Sequence, residues 1–381
     1  MRESQTVTSA PRLPLTFEHQ TYAQRVIFGA GSARSGLAAE VERLGCSRVL
    51  LIAGASELTV ANELAASLPV VATFSGVRPH VPVAVAAAIR LLTAQSRADV
   101  LVCIGGGSTT GTAKAAALTT GLPIIAVPTT YAGSEATPVW GLTEDQRKRT
   151  GVDLRVLPRT VLYDPELTLS LPVDLTVASA LNAVAHCVDA FWAPKADPVN
   201  SALAGAGIRA LAEALPPLRR DGTDLVARAD ALYGAYLAAV AFAGAGSGLH
   251  HKICHVLGGA YGLPHAAMHA VVLPHVLAFN APAAPAAARQ IAQSLGADDA
   301  VAGLLDLYAQ VGAPQALRDL GLAEADLPEA AVLVSQAAPS SNPRPFGPAE
   351  AEELLRQAWA GERPSTEPFE NLSASRPEAT A

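Results

Sequence analysis

Val100-Leu101-Val102-Cys103-Ile104-Gly105-Gly106-Gly107-Ser108-Thr109-Thr110-Gly111-Thr112-Ala113-Lys114 sets the architecture. An apolar run of strand length passes into three consecutive glycines and then into a helix-forming segment. Glycines let a ligand approach the backbone. A helix amino terminus offers free N–H groups and the positive end of a dipole. Ser108 or Thr109 can cap that helix and also touch a phosphate. The loop is neither GxGxxG nor a Walker loop. A tight turn between strand and helix needs fewer glycines, so Gly105, Gly106, Gly107 and Ser108 are expected to cradle a phosphate or pyrophosphate.

The flanking sequence repeats the same alternation. Residues 25–28, 48–53, 70–74, 99–104 and 123–127 read as strands, and 32–44 and 83–95 show helical periodicity. Strands alternating with helices imply a mostly parallel sheet covered on both faces. Ligands of such sheets sit at the carboxyl ends of the strands. There a second segment, Val127-Pro128-Thr129-Thr130-Tyr131-Ala132-Gly133-Ser134-Glu135-Ala136-Thr137, is dense in hydroxyls. Alone it reads equally as a Ser/Thr-rich turn with caps. Beside the glycine loop, Thr129, Thr130, Ser134 and Thr137 become a second wall of one nucleotide site.

The character changes after Val161-Leu162-Tyr163-Asp164-Pro165. Ala/Leu-rich helical segments then dominate, at 175–191, 199–215, 225–243, 283–295, 301–311 and 350–360. The expected organisation is an α/β domain with Rossmann-like dinucleotide binding over 12–163, an all-α catalytic domain over 164–361, and a disordered tail over 362–381 rich in Pro, Ser, Glu and Thr. Half of the 381 residues are hydrophobic and 16% are charged, enough apolar material for a sizeable core. A net charge of −7 without a basic run argues against nucleic acid and anionic membranes as partners. No consecutive apolar run approaches the roughly 20 residues of a membrane span. Met1-Arg2-Glu3-Ser4-Gln5 lacks a signal peptide's charged-then-apolar order. Cys46, Cys103, Cys187 and Cys254 lie far apart without CxxC spacing. They are expected to be reduced thiols of a cytoplasmic protein.

Histidine is unevenly spread. Of nine, six lie between His250 and His275. His251 and His255 share a helix face. Gly258-Gly259 is expected to end that helix, and Pro264 to begin another that presents His265 in its first turn. A lone histidine is usually a satisfied polar residue, but such clustering in an Ala-rich helical segment points to metal ligation or acid–base chemistry. His19 and His80 fall in loops of the first half and read as bystanders that tolerate alanine.

His251-x-x-x-His255-x-Leu257-Gly258-Gly259 followed by Pro264-His265 resembles the signature of the iron-containing (group III) alcohol dehydrogenases. Asp164-Pro165-Glu166-Leu167, the glycine loop and Pro128-Thr129-Thr130 are similar too. The resemblance spans about residues 16–361. Within that superfamily the chain is most similar to the maleylacetate reductase family. That likeness is carried by Arg25-Val26-Ile27-Phe28-Gly29-Ala30-Gly31, Pro128 to Glu135, Gly248 to His255, Leu263-Pro264-His265-Ala266 and Asn342-Pro343-Arg344-Pro345.

The resemblance implies NAD(P)H-dependent reduction of 2-maleylacetate to 3-oxoadipate, a step in aromatic-ring degradation, in a cleft between the domains of a homodimer. His186, His251, His255 and His265 would then serve the chemistry, and Lys252 and Arg344 would hold a small dicarboxylate or keto substrate. Metal-dependent relatives carry an Asp four residues before the first histidine ligand, where this chain has Asn182. A metal, if bound, would rest on His186, His251 and His265 with no protein negative charge. That arrangement suits iron(II) poorly, so metal-free catalysis is expected. After the second strand, Ala53-Gly54-Ala55-Ser56 offers neither an acid for a ribose hydroxyl nor an Arg for a 2′-phosphate. NADH is expected, with NADPH tolerated. Pro339-Ser340-Ser341 stands where the family has an aromatic residue, and Ala267-Met268 where it has a polar one. Three other readings stay open: a metal-dependent alcohol dehydrogenase or carbonyl reductase, a lyase or cyclase resembling dehydroquinate synthase, and a catalytically dead binding protein, which the intact histidines and glycine loop disfavour.

Overall fold

The computed structural model describes residues 15–144, 147–365 and 369. The first half runs β1 (Arg25–Phe28), α1 (Ser32–Arg43), β2 (Val49–Ala53), α2 (Leu58–Leu64), β3 (Val70–Phe74), α3 (Val83–Ser96), β4 (Val100–Gly105), α4 (Gly107–Thr120), β5 (Ile124–Pro128), β6 (Val139–Glu144), β7 (Arg147–Val152) and β8 (Thr160–Tyr163). Six strands form one parallel sheet in the order β1-β8-β5-β4-β2-β3. Every residue of β2, β4, β5 and β8 is buried. Covered on both faces, those strands are near-continuous Val/Ile/Leu runs, each such side chain contributing about 1.5–3 kcal/mol. This α/β layer with a parallel sheet is the architecture expected from the alternation. The antiparallel hairpin β6–β7 was not expected. Its residues Arg147-Lys148-Arg149 carry no apolar alternation, so the period-two signal is missing.

The second half is helical: α5 (Val173–Ala190), α6 (Pro198–Arg220), α7 (Leu225–Ala245), α8 (Leu249–Tyr261), α9 (His265–Asn280), α10 (Pro285–Ser294), α11 (Ala300–Val311), α12 (Leu327–Ala337) and α13 (Pro348–Ala360). Gly258-Gly259 does not end α8, which continues to Tyr261 and stops at Gly262 in the left-handed conformation (φ 66°). A glycine pair inside a packed helix costs about 1 kcal/mol per residue against alanine, and packing overrides it. Two segments, Leu225–Ala245 and His265–Ala283, are long and apolar enough to cross a membrane by length and hydropathy. They belong to the folded core, with 56% and 72% of their apolar windows buried. Part of the expected disordered tail is packed. The Ser365 N–H donates to Gln357 Oε1, Glu362 pairs with Arg356, and the Phe369 ring is 2% exposed. Residues 366–368 and 370–381 lie outside the described set. The four cysteines are free.

Candidate active site

Two strand ends and the helices α5, α7, α8 and α9 converge on one cavity of about 980 Å³. From the sheet side come Gly107, Ser108, Gly111 and Lys114 after β4, and Ala132, Gly133, Ser134 and Thr137 after β5. Gly105 has φ 149°, and Gly106 is the N-cap from which α4 departs. A Cβ on Gly106 would sit 3.0 Å from Thr130 Cγ2, and one on Gly107 would sit 3.2 Å from Ala132 Cβ. The two loops therefore pack closely on each other, leaving the free N–H groups at the start of α4 beside the cavity. Of the residues expected to hold the cofactor, Gly107, Ser108, Ser134 and Thr137 line it. Gly105, Gly106, Thr129 and Thr130 stand behind them as supports, the Thr129 N–H donating to the Gly105 carbonyl at 3.2 Å.

Lys114 ties the loops together. It is 1% exposed, and its Nζ donates to the carbonyls of Ser134 (2.6 Å), Thr137 (2.8 Å) and Val139 (2.7 Å). Three carbonyl acceptors match the three protons of an ammonium. Burial draws its pKa down to about 7, against the pull of Glu135. It closes the glycine motif in the sequence, where it read only as a helix residue. Asp164, which opens the Asp164-Pro165-Glu166-Leu167 segment, holds the first half of the fold together. Its carboxylate accepts from the N–H groups of Gly31, Ala33 and Glu166, capping α1 and the turn after β8.

The helical wall carries the histidines. His186 on α5 stacks on His251 of α8 with ring centroids 4.8 Å apart, and Phe242 of α7 packs against both. His255 lies one turn beyond His251, and His265 opens α9 with its ring 4.4 Å from His269. His186, His251, His255, His265 and Lys252 all line the cavity. Arg344 does not. Its guanidinium lies over the rings of Phe279 (4.9 Å) and Phe369 (5.5 Å), because Asn342 clasps Asn280 through two amide hydrogen bonds and fixes the loop there. The expected aromatic position before that loop does reach the site: Pro339 lines the cavity, whereas Met268 is buried in the core.

The expectation of a histidine site without a nearby carboxylate needs correction. Asp189, one helical turn past His186, is fully buried. Its Oδ2 accepts from His251 Nδ1 at 2.8 Å and from the N–H groups of Gly248 and His251. This fixes the His251 tautomer, with Nδ1–H on the acid and Nε2 free toward the cavity. Burial raises Asp189 to about 6 and drives His251 well below its usual value. His186 and His250 fall to about 3 for the same reason. The spacing His186-x-x-Asp189 carried this signal, but an acid on a helix that buries its neighbours read as ordinary sequence. His250, His251 and His269 bring one ring nitrogen each to within 4.8 Å of one another, a different trio from His186, His251 and His265. The supposed bystanders are engaged too. His19 Nδ1 lies 2.9 Å from Asp197, and His80 lines the cavity with its ring edge toward His265 at 6.4 Å.

The cavity lining contains Lys114, Lys195, Lys252 and five histidines, and among the described residues no Asp or Glu. Such a site suits anions. Comparisons with known proteins agree with the architecture. Residues 23–165 match the iron-containing alcohol dehydrogenase family and residues 176–359 its C-terminal region. The chain is 46% identical over 343 residues to a maleylacetate reductase of Burkholderia cepacia, covering 90% of this chain and 97% of that one. An iron-containing alcohol dehydrogenase structure from Corynebacterium glutamicum superposes with a TM-score of 0.91 at 52% identity, covering 93% and 99%. A maleylacetate reductase structure from Agrobacterium tumefaciens gives 0.88 at 42%, covering 92% and 100%. The chain is an NAD(P)H-dependent oxidoreductase that belongs to the iron-containing alcohol dehydrogenase family, within its maleylacetate reductase group.

Proposed function

We propose that the chain reduces 2-maleylacetate to 3-oxoadipate with NADH, tolerating NADPH, without a metal, as a cytoplasmic homodimer. The cavity lining, which holds Lys195 and Lys252 and no acid among the described residues, carries the reading. Its substrate is a dianion, and a pyrophosphate must lie at the glycine loop as well. With its pyrophosphate held by Gly107, Ser108, Ser134 and Thr137, a nicotinamide cofactor would supply the hydride that adds to the carbon–carbon double bond conjugated to the ketone. Electron density moves onto the ketone oxygen as an enolate, and a proton then goes to the adjacent carbon. With its Nδ1–H on Asp189, His251 presents an unprotonated Nε2 that can only accept, so donation to that oxygen and delivery of that proton fall to the neighbouring His255 ring. Lys252, one helix position from His251, provides a cation for a carboxylate.

The family's name implies iron, and the donors here do not fit iron(II) well. Asn182 puts a neutral amide where a carboxylate would face the histidines, and Asp189 is engaged behind His251 rather than beside it. A second reading, a metal-dependent carbonyl reductase, is favoured by one observation. Asn182 Oδ1, His186 Nδ1 and His251 Nε2 are buried without hydrogen-bond partners, and a neutral histidine set can hold zinc. NADH oxidation by chelator-dialysed enzyme separates the two. Retained turnover supports the first; loss restored by one added divalent ion supports the second.

A further inference from the structure

His80 and Val81 both adopt left-handed backbone, at φ 60° and 48°. Neither is glycine, and Val81 is β-branched, the kind of side chain that avoids this region most strongly. The conformation is held from several sides. Val81 is 4% exposed, and its Cγ2 packs so close to α4 that a Cβ on Gly111 would lie 2.8 Å away. From β6, the Thr143 N–H donates to the Val81 carbonyl (3.1 Å) and the Thr143 hydroxyl to the His80 carbonyl (2.9 Å). A surface loop could relax out of such strain. One fixed by both the glycine-loop helix and a hairpin keeps it, and strain of this kind collects where a side chain must be aimed.

The aim is visible. His80 sits at the rim of the cavity on the sheet side, facing His265 across the cleft, while Lys252 lines the helical side. Building on the dicarboxylate reading above, we propose that His80 is a substrate-binding residue that donates from its imidazole to one carboxylate. Lys252 serves the other carboxylate from the opposite wall. A substrate charged at both ends needs such contacts on two sides.

The test compares wild type with H80G, H80N and H80Q on 2-maleylacetate and on two analogues, each lacking one of its carboxylates. Glycine suits φ 60°, and asparagine tolerates it, so both remove the imidazole without added strain. H80G and H80N should raise KM for 2-maleylacetate about tenfold or more, with NADH affinity within about twofold and thermal stability not lowered. The penalty should vanish on one analogue, and H80Q, whose amide N–H₂ reaches about as far as the imidazole Nε2 while that of asparagine falls short, should recover part of the loss. An equal penalty on all three substrates, a parallel loss of NADH affinity, or no penalty would each overturn the assignment. Wild-type enzyme inert toward 2-maleylacetate would overturn the dicarboxylate reading and this one together. Active wild type with indifferent variants would overturn this one alone.

Discussion

His255 is half-buried, one turn beyond His251 on the cavity face of α8. Its replacement by alanine removes a group that matters as charge develops on the substrate. kcat should fall on the order of 10²-fold, with a smaller change in NADH affinity. Steady-state kinetics and a melting curve on the same preparation decide the point. Lower thermal stability with preserved turnover would make His255 a packing residue. At this scale the sequence was legible where residues cluster locally, as in His251, Lys252 and His255. It was opaque where partners come from elsewhere. Asp189 meets His251 from 62 positions away, and His80 reaches the site only because Thr143 and Gly111 hold its turn. Arg344 failed for the same reason, since the Asn280–Asn342 clasp that carries it onto Phe279 joins two distant segments.

The cofactor cradle is a property of two elements, the loop into α4 and the loop after β5. Gly106→Val would push a β-branched side chain against Thr130, whose Cγ2 already lies 3.0 Å from the Cβ position. NADH affinity should fall about tenfold, roughly 1.4 kcal/mol, with the fold retained. Fluorescence titration of the folded variant checks this, and unchanged affinity would remove the loop from the cofactor site. The parallel strands were readable because burial on both faces leaves uninterrupted apolar runs. The hairpin β6–β7 was not, because Arg147-Lys148-Arg149 face the wrong composition for a strand pattern. Gly258-Gly259 misled for a related reason: local propensity marks a helix end, but Leu257 and the core around it hold the helix through.

Over the whole molecule, the buried histidines set the response to acid. Burial holds His186 and His250 near 3 and His275 near 4, against 6.5 in an unfolded chain. Below pH 6.5 the unfolded chain therefore binds more protons. Their contribution is complete above that pH and is lost as pH falls toward 3. Each should remove about 2–3 kcal/mol by pH 4.5. Asp189, raised to about 6, works in the opposite direction but is outnumbered. Melting temperature should drop steeply between pH 6.5 and 4.5; a flat profile there would contradict the buried cluster. The central claim is that the glycine loop and the histidine wall enclose one site, with Lys195 and Lys252 in its lining, for a dicarboxylate. NADH oxidation by chelator-dialysed enzyme, followed with 2-maleylacetate beside simple aldehydes and ketones, tests it most directly. The account predicts rapid turnover of 2-maleylacetate and little of the uncharged carbonyls. Preference for the uncharged carbonyls, or turnover that requires an added metal ion, would contradict it.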